Sequence, residues 1–453
     1  MTDNETHTLP NHIDSRAWLW VPTLYFAEGV PYFIVNNVSV MMLTRMGVPN
    51  GVMALYTSLL YLPWVIKPLW SPFVDIIRTK RWWVLAMQVL LTAAFVGMTL
   101  TLPHPPAETI GAGATGIGLF RGMLILFWLS AFAGATHDIA ADGYYMLALD
   151  TRSQSFYVGV RSLFYRLSSI FGQGVLIWLA GRWEEQTGDI PAAWQRTLLC
   201  ASLLFAALTV WHLLTLPRKE QPAATEQRRA TDILRDFGET FVSFFRKDGI
   251  LLALCFMLLY RLPEAFLVKM LNPFFVGSVE HGGLGLSTAD VGWLYGVLGV
   301  AGLTAGGLLG GFYASRYGLR RSLIPMVLAI TLPDAVYLWM SLAQPAQTGW
   351  VAAAITFEQF GYGFGFTAYM LYLMHFSRGE RQTSHYALCT GFMALGMMLP
   401  GMAAGYIQEA LGYTGFFWLV IACCALSIAV TILLRKRLKT KAANGPGTDL
   451  EQT

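Results

Sequence analysis

The chain has 453 residues, 55% hydrophobic and only 13% charged, with a net charge of +4 and a mean hydropathy of +0.49. Soluble domains carry about 25% charged residues, so a chain this long with so few charges cannot clothe a water-soluble surface and reads as an integral membrane protein. Its five cysteines (Cys200, Cys255, Cys389, Cys423, Cys424) lie in apolar runs without CxxC spacing or histidine partners, which argues against a disulfide framework or a metal site and for buried small hydrophobes.

The polar, acidic N-terminus lacks the basic start and small-residue cleavage site of a signal peptide, so the first apolar run is expected to stay in the mature protein. A spanning helix needs roughly 20 mostly apolar residues. Such runs lie near 17–43, 51–76, 82–103, 118–148, 156–180, 195–216, 249–276, 288–315, 321–343, 349–376, 384–407 and 413–434, which predicts twelve transmembrane helices. The polar stretch 217–248 divides them six and six. The expected organisation is a bundle over 1–216, a linker over 217–248, a second bundle over 249–434 and a tail over 435–453. Within the linker, "DILRDFGETFVSFF" has the pattern of an amphipathic surface helix.

Charges at membrane depth are functional candidates by default. Helix one carries "YFAEGVPYF", with Glu28 near mid-depth and Gly29 and Pro31 loosening the helix. Helix two, "LPWVIKPLWSPFVD", places Lys67 among prolines, where a bare charge costs about 2.5–3.5 kcal/mol. Lys67 therefore needs an anionic substrate, a cavity, or a buried acid such as Asp75. Helix four carries His137, Asp138 and Asp142. The two aspartates are four apart and share a face, and helix five answers with Arg161 and Arg166. This predicts a buried charge network, with static pairing as the competing reading. His137 suits either a proton relay or a plain hydrogen bond.

Helix seven places Arg261 and Glu264 three apart, so Glu264 either meets substrate or neutralises Arg261, with Lys269 further on. Asp334 and Glu358 add acids in helices nine and ten, and Phe360, Tyr362 and Phe364 suggest an aromatic lining for sugar faces. "GGLLGG" at Gly306–Gly311 reads as a close-packing ridge.

Basic residues favour the inner side of a membrane. They collect in the loops after the even-numbered helices, in the linker and in the tail, which predicts both termini in the cytoplasm. The loop after helix eight, "GGFYASRYGLRRSL", resembles the loop signature of the major facilitator superfamily through Gly311, Arg316, Gly318, Arg320 and Arg321. A degenerate copy after helix two keeps Asp75, Arg78, Lys80 and Arg81. A repeat after the second helix of each half implies the facilitator fold, all-α and in two six-helix bundles. The paired loops would act as gating motifs.

Lys67, Leu69, Trp70, Ser71, Pro72 and Asp75 resemble a helix-two run of AmpG-type muropeptide permeases and the related acetyl-CoA transporters. "HDIAADGY" is similar to that group's helix-four pattern, with His137 in place of Gln. "LYRLPEAF" followed by "NPFF" resembles its helix-seven pattern, with Arg261 in place of Lys. The resemblance implies proton-linked uptake of anhydromuropeptides, amino sugars bearing peptides, across the bacterial inner membrane for peptidoglycan recycling. The chain stops after twelve predicted helices, whereas AmpG-type relatives often carry more.

The proton-coupling candidates are Glu28, Asp138, Asp142 and Glu358. The substrate candidates are Lys67, Arg161, Arg166, Arg261, Glu264, Phe360 and Tyr362. No cofactor is expected beyond a proton gradient, no nucleic-acid partner, and a monomer in the lipid bilayer. The competing readings are a carrier of another organic anion, such as acetyl-CoA or a siderophore, and a transporter-like sensor. An enzyme is disfavoured because no nucleophile–base or metal constellation occurs, and no Gly-Lys pair is present for a phosphate loop.

Overall fold

The computed structural model describes residues 14–102, 114–218 and 230–444, and every regular element among them is helical. Lipid offers the backbone no hydrogen-bond partner, so apolar runs of this length close their bonds internally as helices. Nine described stretches are long and apolar enough to cross a membrane. Two of them each hold two helices, turned at Gly318 (φ 71°) and Gly412 (φ 67°), where only glycine takes the left-handed backbone without strain. Thr348–Ser377, 30 residues long, completes twelve.

We number them in chain order: α1 Ser15–Arg45, α2 Asn50–Val74, α3 Lys80–Thr101, α4 Ala114–Ala148, α5 Arg152–Thr187 and α6 Ile190–Thr215, then α7 Ile250–Val276, α8 288–317, α9 318–343, α10 Thr348–Ser377, α11 382–411 and α12 412–444. Several run longer than hydropathy alone suggests. α5 continues to Thr187, and α12 passes Leu434 to reach Asn444.

Irregular backbone recurs within the helices. α1, α5 and α8 contain π-turns at Ile34–Val38, Ile170–Leu176 and Leu294–Gly299, a feature common at functional sites. α2 and α7 break at Tyr61 and Arg261, each just ahead of a Leu-Pro pair. Pro263 has no N–H for the carbonyl of Leu259, and the Ser427 hydroxyl of α12 supplies the missing donor at 2.8 Å.

Glycines set the helix contacts. A Cβ on Gly306 would fall 2.0 Å from the Phe360 carbonyl oxygen, and one on Gly363 would fall 2.0 Å from that of Leu303. The Gly306 ridge thus packs α8 on α10. Contacts of the same kind join α5 to α8: a Cβ on Gly181 would lie 2.1 Å from the Ala289 nitrogen, and one on Gly296 2.1 Å from the Gln173 oxygen. Gly405 of α11 comes as close to the Asn50 carbonyl of α2. Polar clasps flank these seams. Glu184 accepts from Thr288 at 2.7 Å, Trp194 at 2.9 Å and Arg45 at 3.0 Å, while Glu409 accepts from the Gly51 N–H at 2.8 Å. The end of the bundle farther from the chain termini is therefore sealed.

The predicted amphipathic helix spans Ala230–Phe245. Phe244 stacks on Phe392 of α11 with centroids 6.0 Å apart, and Glu239 pairs with Arg381 at 2.6 Å. Arg235 and Arg381 hold the Glu239 carboxyl below the usual carboxylate range.

Candidate functional site: a charge cluster between four helices

α1, α2, α4 and α5 bring five ionisable side chains together. Lys67 pairs with Asp138, which answers what Lys67 does at membrane depth: its partner is an acid on a neighbouring helix, 71 residues away. The side chain of Asp75, the acid nearest in sequence, lies outside the described residues. One turn along α4, Asp142 accepts from Arg161 at 2.8 Å and from the Tyr25 hydroxyl at 3.0 Å. The Arg161 guanidinium also lies 4.4 Å from the Tyr25 ring centroid. Glu28 is 8% exposed, adjoins the carboxyls of Asp138 and Asp142, and has one carboxylate oxygen with no partner. The close approach of α1 to α5 needs Gly29, where a Cβ would fall 1.8 Å from the Ser168 hydroxyl.

The cluster holds three carboxyls (Glu28, Asp138, Asp142) and two cations (Lys67, Arg161). One added proton brings it to neutrality. It remains partly wet: the side chains of Lys67, Arg161 and Asp142 are 29%, 30% and 39% exposed.

The other predicted residues divide. Arg166 does not join the acids; its guanidinium reaches Thr304 of α8 at 3.4 Å. It lies five residues beyond Arg161, and that offset on a helix turns it toward the opposite wall. Arg261 does not pair with Glu264. It donates to the Tyr362 hydroxyl and lies 4.8 Å from the Phe366 ring centroid, and its Nε has no partner. Glu264 is buried. Glu358 is buried in a separate group, accepting from Tyr337 at 2.5 Å and Gln359 at 3.0 Å, with Asp334 beside Cys424 nearby.

The expected lining by Phe360, Tyr362 and Phe364 needs correction. Residues two apart on a helix do not share a face. Tyr362 meets Arg261, Phe364 packs on Tyr313, and Phe360 lines a shallow outer groove with Ala301, Gly302 and Ala305. A separate aromatic cluster is formed by Tyr32, Tyr61 and Trp64, with Tyr32 5.2 Å from Trp64. Tyr32 stood in the quoted helix-one motif, but its facing Trp64 is visible only in three dimensions.

His137 points away from Asp138, one residue and about 100° around the helix. Its Nε2 lies 3.0 Å from Gln88, which also meets His212, in a buried α3–α4–α6 junction. Cys200 is exposed rather than buried, and all five cysteines are free. In the loops after α2 and α8, Arg78 has φ 65° where Gly318 has φ 71°. The degenerate copy thus keeps the turn after losing its glycine. Arg78, Gly311, Arg316 and Arg321 are exposed and Arg320 half-buried. Among the described residues no group of three His, Cys, Asp or Glu side chains is placed to hold a metal.

The chain is similar to the anhydromuropeptide permease of Escherichia coli strain K12, with 26% identity over 428 residues covering 93% of this chain and 80% of that protein. A Rickettsia felis protein called transporter AmpG 4 is 22% identical over 92% of this chain and 95% of its own length. Among solved structures, a D-xylose–proton symporter matches with a TM-score of 0.64 at 11% identity, covering 93% of this chain and 97% of that one. A POT family transporter in complex with 5-aminolevulinic acid matches with 0.67 at 12% identity, covering 94% and 96%. These likenesses show the fold. The Major Facilitator Superfamily matches over residues 23–384 and 262–452. This multi-pass membrane protein, a transporter and not an enzyme, belongs to the major facilitator superfamily.

Proposed function

We propose that the protein is a proton-coupled importer of anhydromuropeptides, working in the bacterial inner membrane with both termini in the cytoplasm. The observation that carries this reading is the α1–α2–α4–α5 cluster, three carboxyls against two cations with an unpartnered Glu28 oxygen. A proton from outside neutralises the cluster, and a neutral cluster crosses the low-dielectric middle of the transport cycle at less cost than a charged one. Peptide carboxylates of the substrate meet Lys67, Arg166 and Arg261. The amino sugar stacks against the Tyr32, Tyr61 and Trp64 wall. The similarity to the E. coli anhydromuropeptide permease supports the substrate class.

In this reading residues 1–216 and 249–434 rock as two bundles about the cavity, joined by 217–248, and the conformation described here opens to the cytoplasm. The basic loops after α2 and α8 close that side when the far seams part.

The test is uptake of labelled anhydromuropeptide into proteoliposomes under an imposed proton gradient. The expected result is accumulation that collapses with a protonophore. Accumulation that survives the protonophore refutes proton coupling. Failure to take up the muropeptide, with uptake of acetyl-CoA or a siderophore instead, refutes the substrate.

A further inference from the structure

Lys269, on α7, is fully buried, yet among the described residues no carboxylate lies within 4.0 Å of its ammonium. Among the described residues its hydrogen-bond partner is the Thr57 hydroxyl of α2 at 3.2 Å, and the Tyr61 ring centroid is 4.9 Å away. An ammonium has three protons to place, and here one is used. The Ser58 hydroxyl on α2, next to Thr57, is also buried without a partner. Gly401 of α11 closes the pocket, since a Cβ there would lie 2.6 Å from the Ser58 hydroxyl and 3.4 Å from Lys269 Cγ.

A buried amine can carry its charge at low cost only when an anion comes beside it, and this holds more strongly in a membrane. Such a group fits a place that is filled during part of the cycle. Thr57 and Lys269 each lie seven residues from the far end of their helix, at Asn50 and Val276.

We propose that Lys269, with the Ser58 hydroxyl, is a second anion-binding subsite that receives a substrate carboxylate on the far side. It is covered in this conformation and hands the substrate on to Arg261, about 12 Å along α7 at 1.5 Å per residue. The inference rests on the reading of the protein as an alternating-access carrier of an anionic amino-sugar peptide.

Two measurements test it. Lys269→Met keeps the volume of the side chain and removes the charge. The variant is expected to be at least as thermostable as the unaltered protein, with KM for anhydromuropeptide raised roughly ten-fold, the loss of one charged hydrogen bond. A lower stability with unchanged KM overturns the subsite, because it makes Lys269 a structural group. Lys269→Cys, with the five native cysteines replaced, is expected to react with a membrane-impermeant thiol reagent from the far side during turnover, and substrate should protect it. A cysteine that stays unreactive in actively transporting protein overturns the proposal. Protection by another organic anion but not by the muropeptide supports the subsite and refutes the substrate assignment.

Discussion

Removing one partner of the Lys67–Asp138 pair should strip the other of its direct ion pair. A fully buried pair broken in this way costs about 3–5 kcal/mol. Lys67 and Asp138 keep side-chain exposures of 29% and 19%, so solvent screening reduces the expected loss to about 2 kcal/mol. Lys67→Gln and Asp138→Asn should each lower the thermal midpoint in detergent by a few degrees. The double variant should recover most of that loss. Transport should separate the two singles further. Asp138→Asn leaves two carboxyls facing two cations, so no proton is needed for neutrality. That variant should exchange substrate in counterflow but fail to accumulate it against a gradient. The double variant restores one excess carboxyl and with it accumulation, at a raised KM because Lys67 no longer meets substrate. Counterflow, gradient-driven uptake and fluorescence-detected melting of the purified protein measure all of this. Single variants as stable as the unaltered protein, or a double variant no more stable than the worse single, would refute the pairing argument.

Gly181→Val should insert normally yet fail to transport, since even the Cβ meets the Ala289 backbone at 2.1 Å; cross-linking between α5 and α8 at the far end should fall, and unchanged cross-linking would count against the seam. Gly318→Ala should cost about 1–2 kcal/mol by forcing a side chain into the left-handed backbone, while Arg78→Gly relieves a similar strain at the equivalent turn. Thermal melting compares the two, and equal shifts of the same sign would contradict it. The Glu239 carboxyl is held low by Arg235 and Arg381, so its contribution to docking the Ala230–Phe245 helix is present above the unfolded carboxylate value and lost as pH falls through the lower folded value. Hydrogen exchange of that helix should rise on acidification and do so less in Glu239→Gln, already undocked at neutral pH.

Helix number and the loop repeat were legible in the sequence because they depend on local rules. Apolar runs in lipid must close their own hydrogen bonds, whatever they pack against. The i, i+4 rule likewise put Asp138 and Asp142 on one face, and both do reach the cluster. Pairing across helices followed no such rule. Arg161 chose Asp142, Lys67 took Asp138, and Arg166 turned to Thr304, because helix rotation and glycine-set separations decide which side chains converge. The same rotation sent Phe360 outward while Tyr362 turned in. Lys269 shows the limit most plainly. Its charge was visible in the chain, but that it lacks an acid is a property of the α2–α7–α11 junction alone.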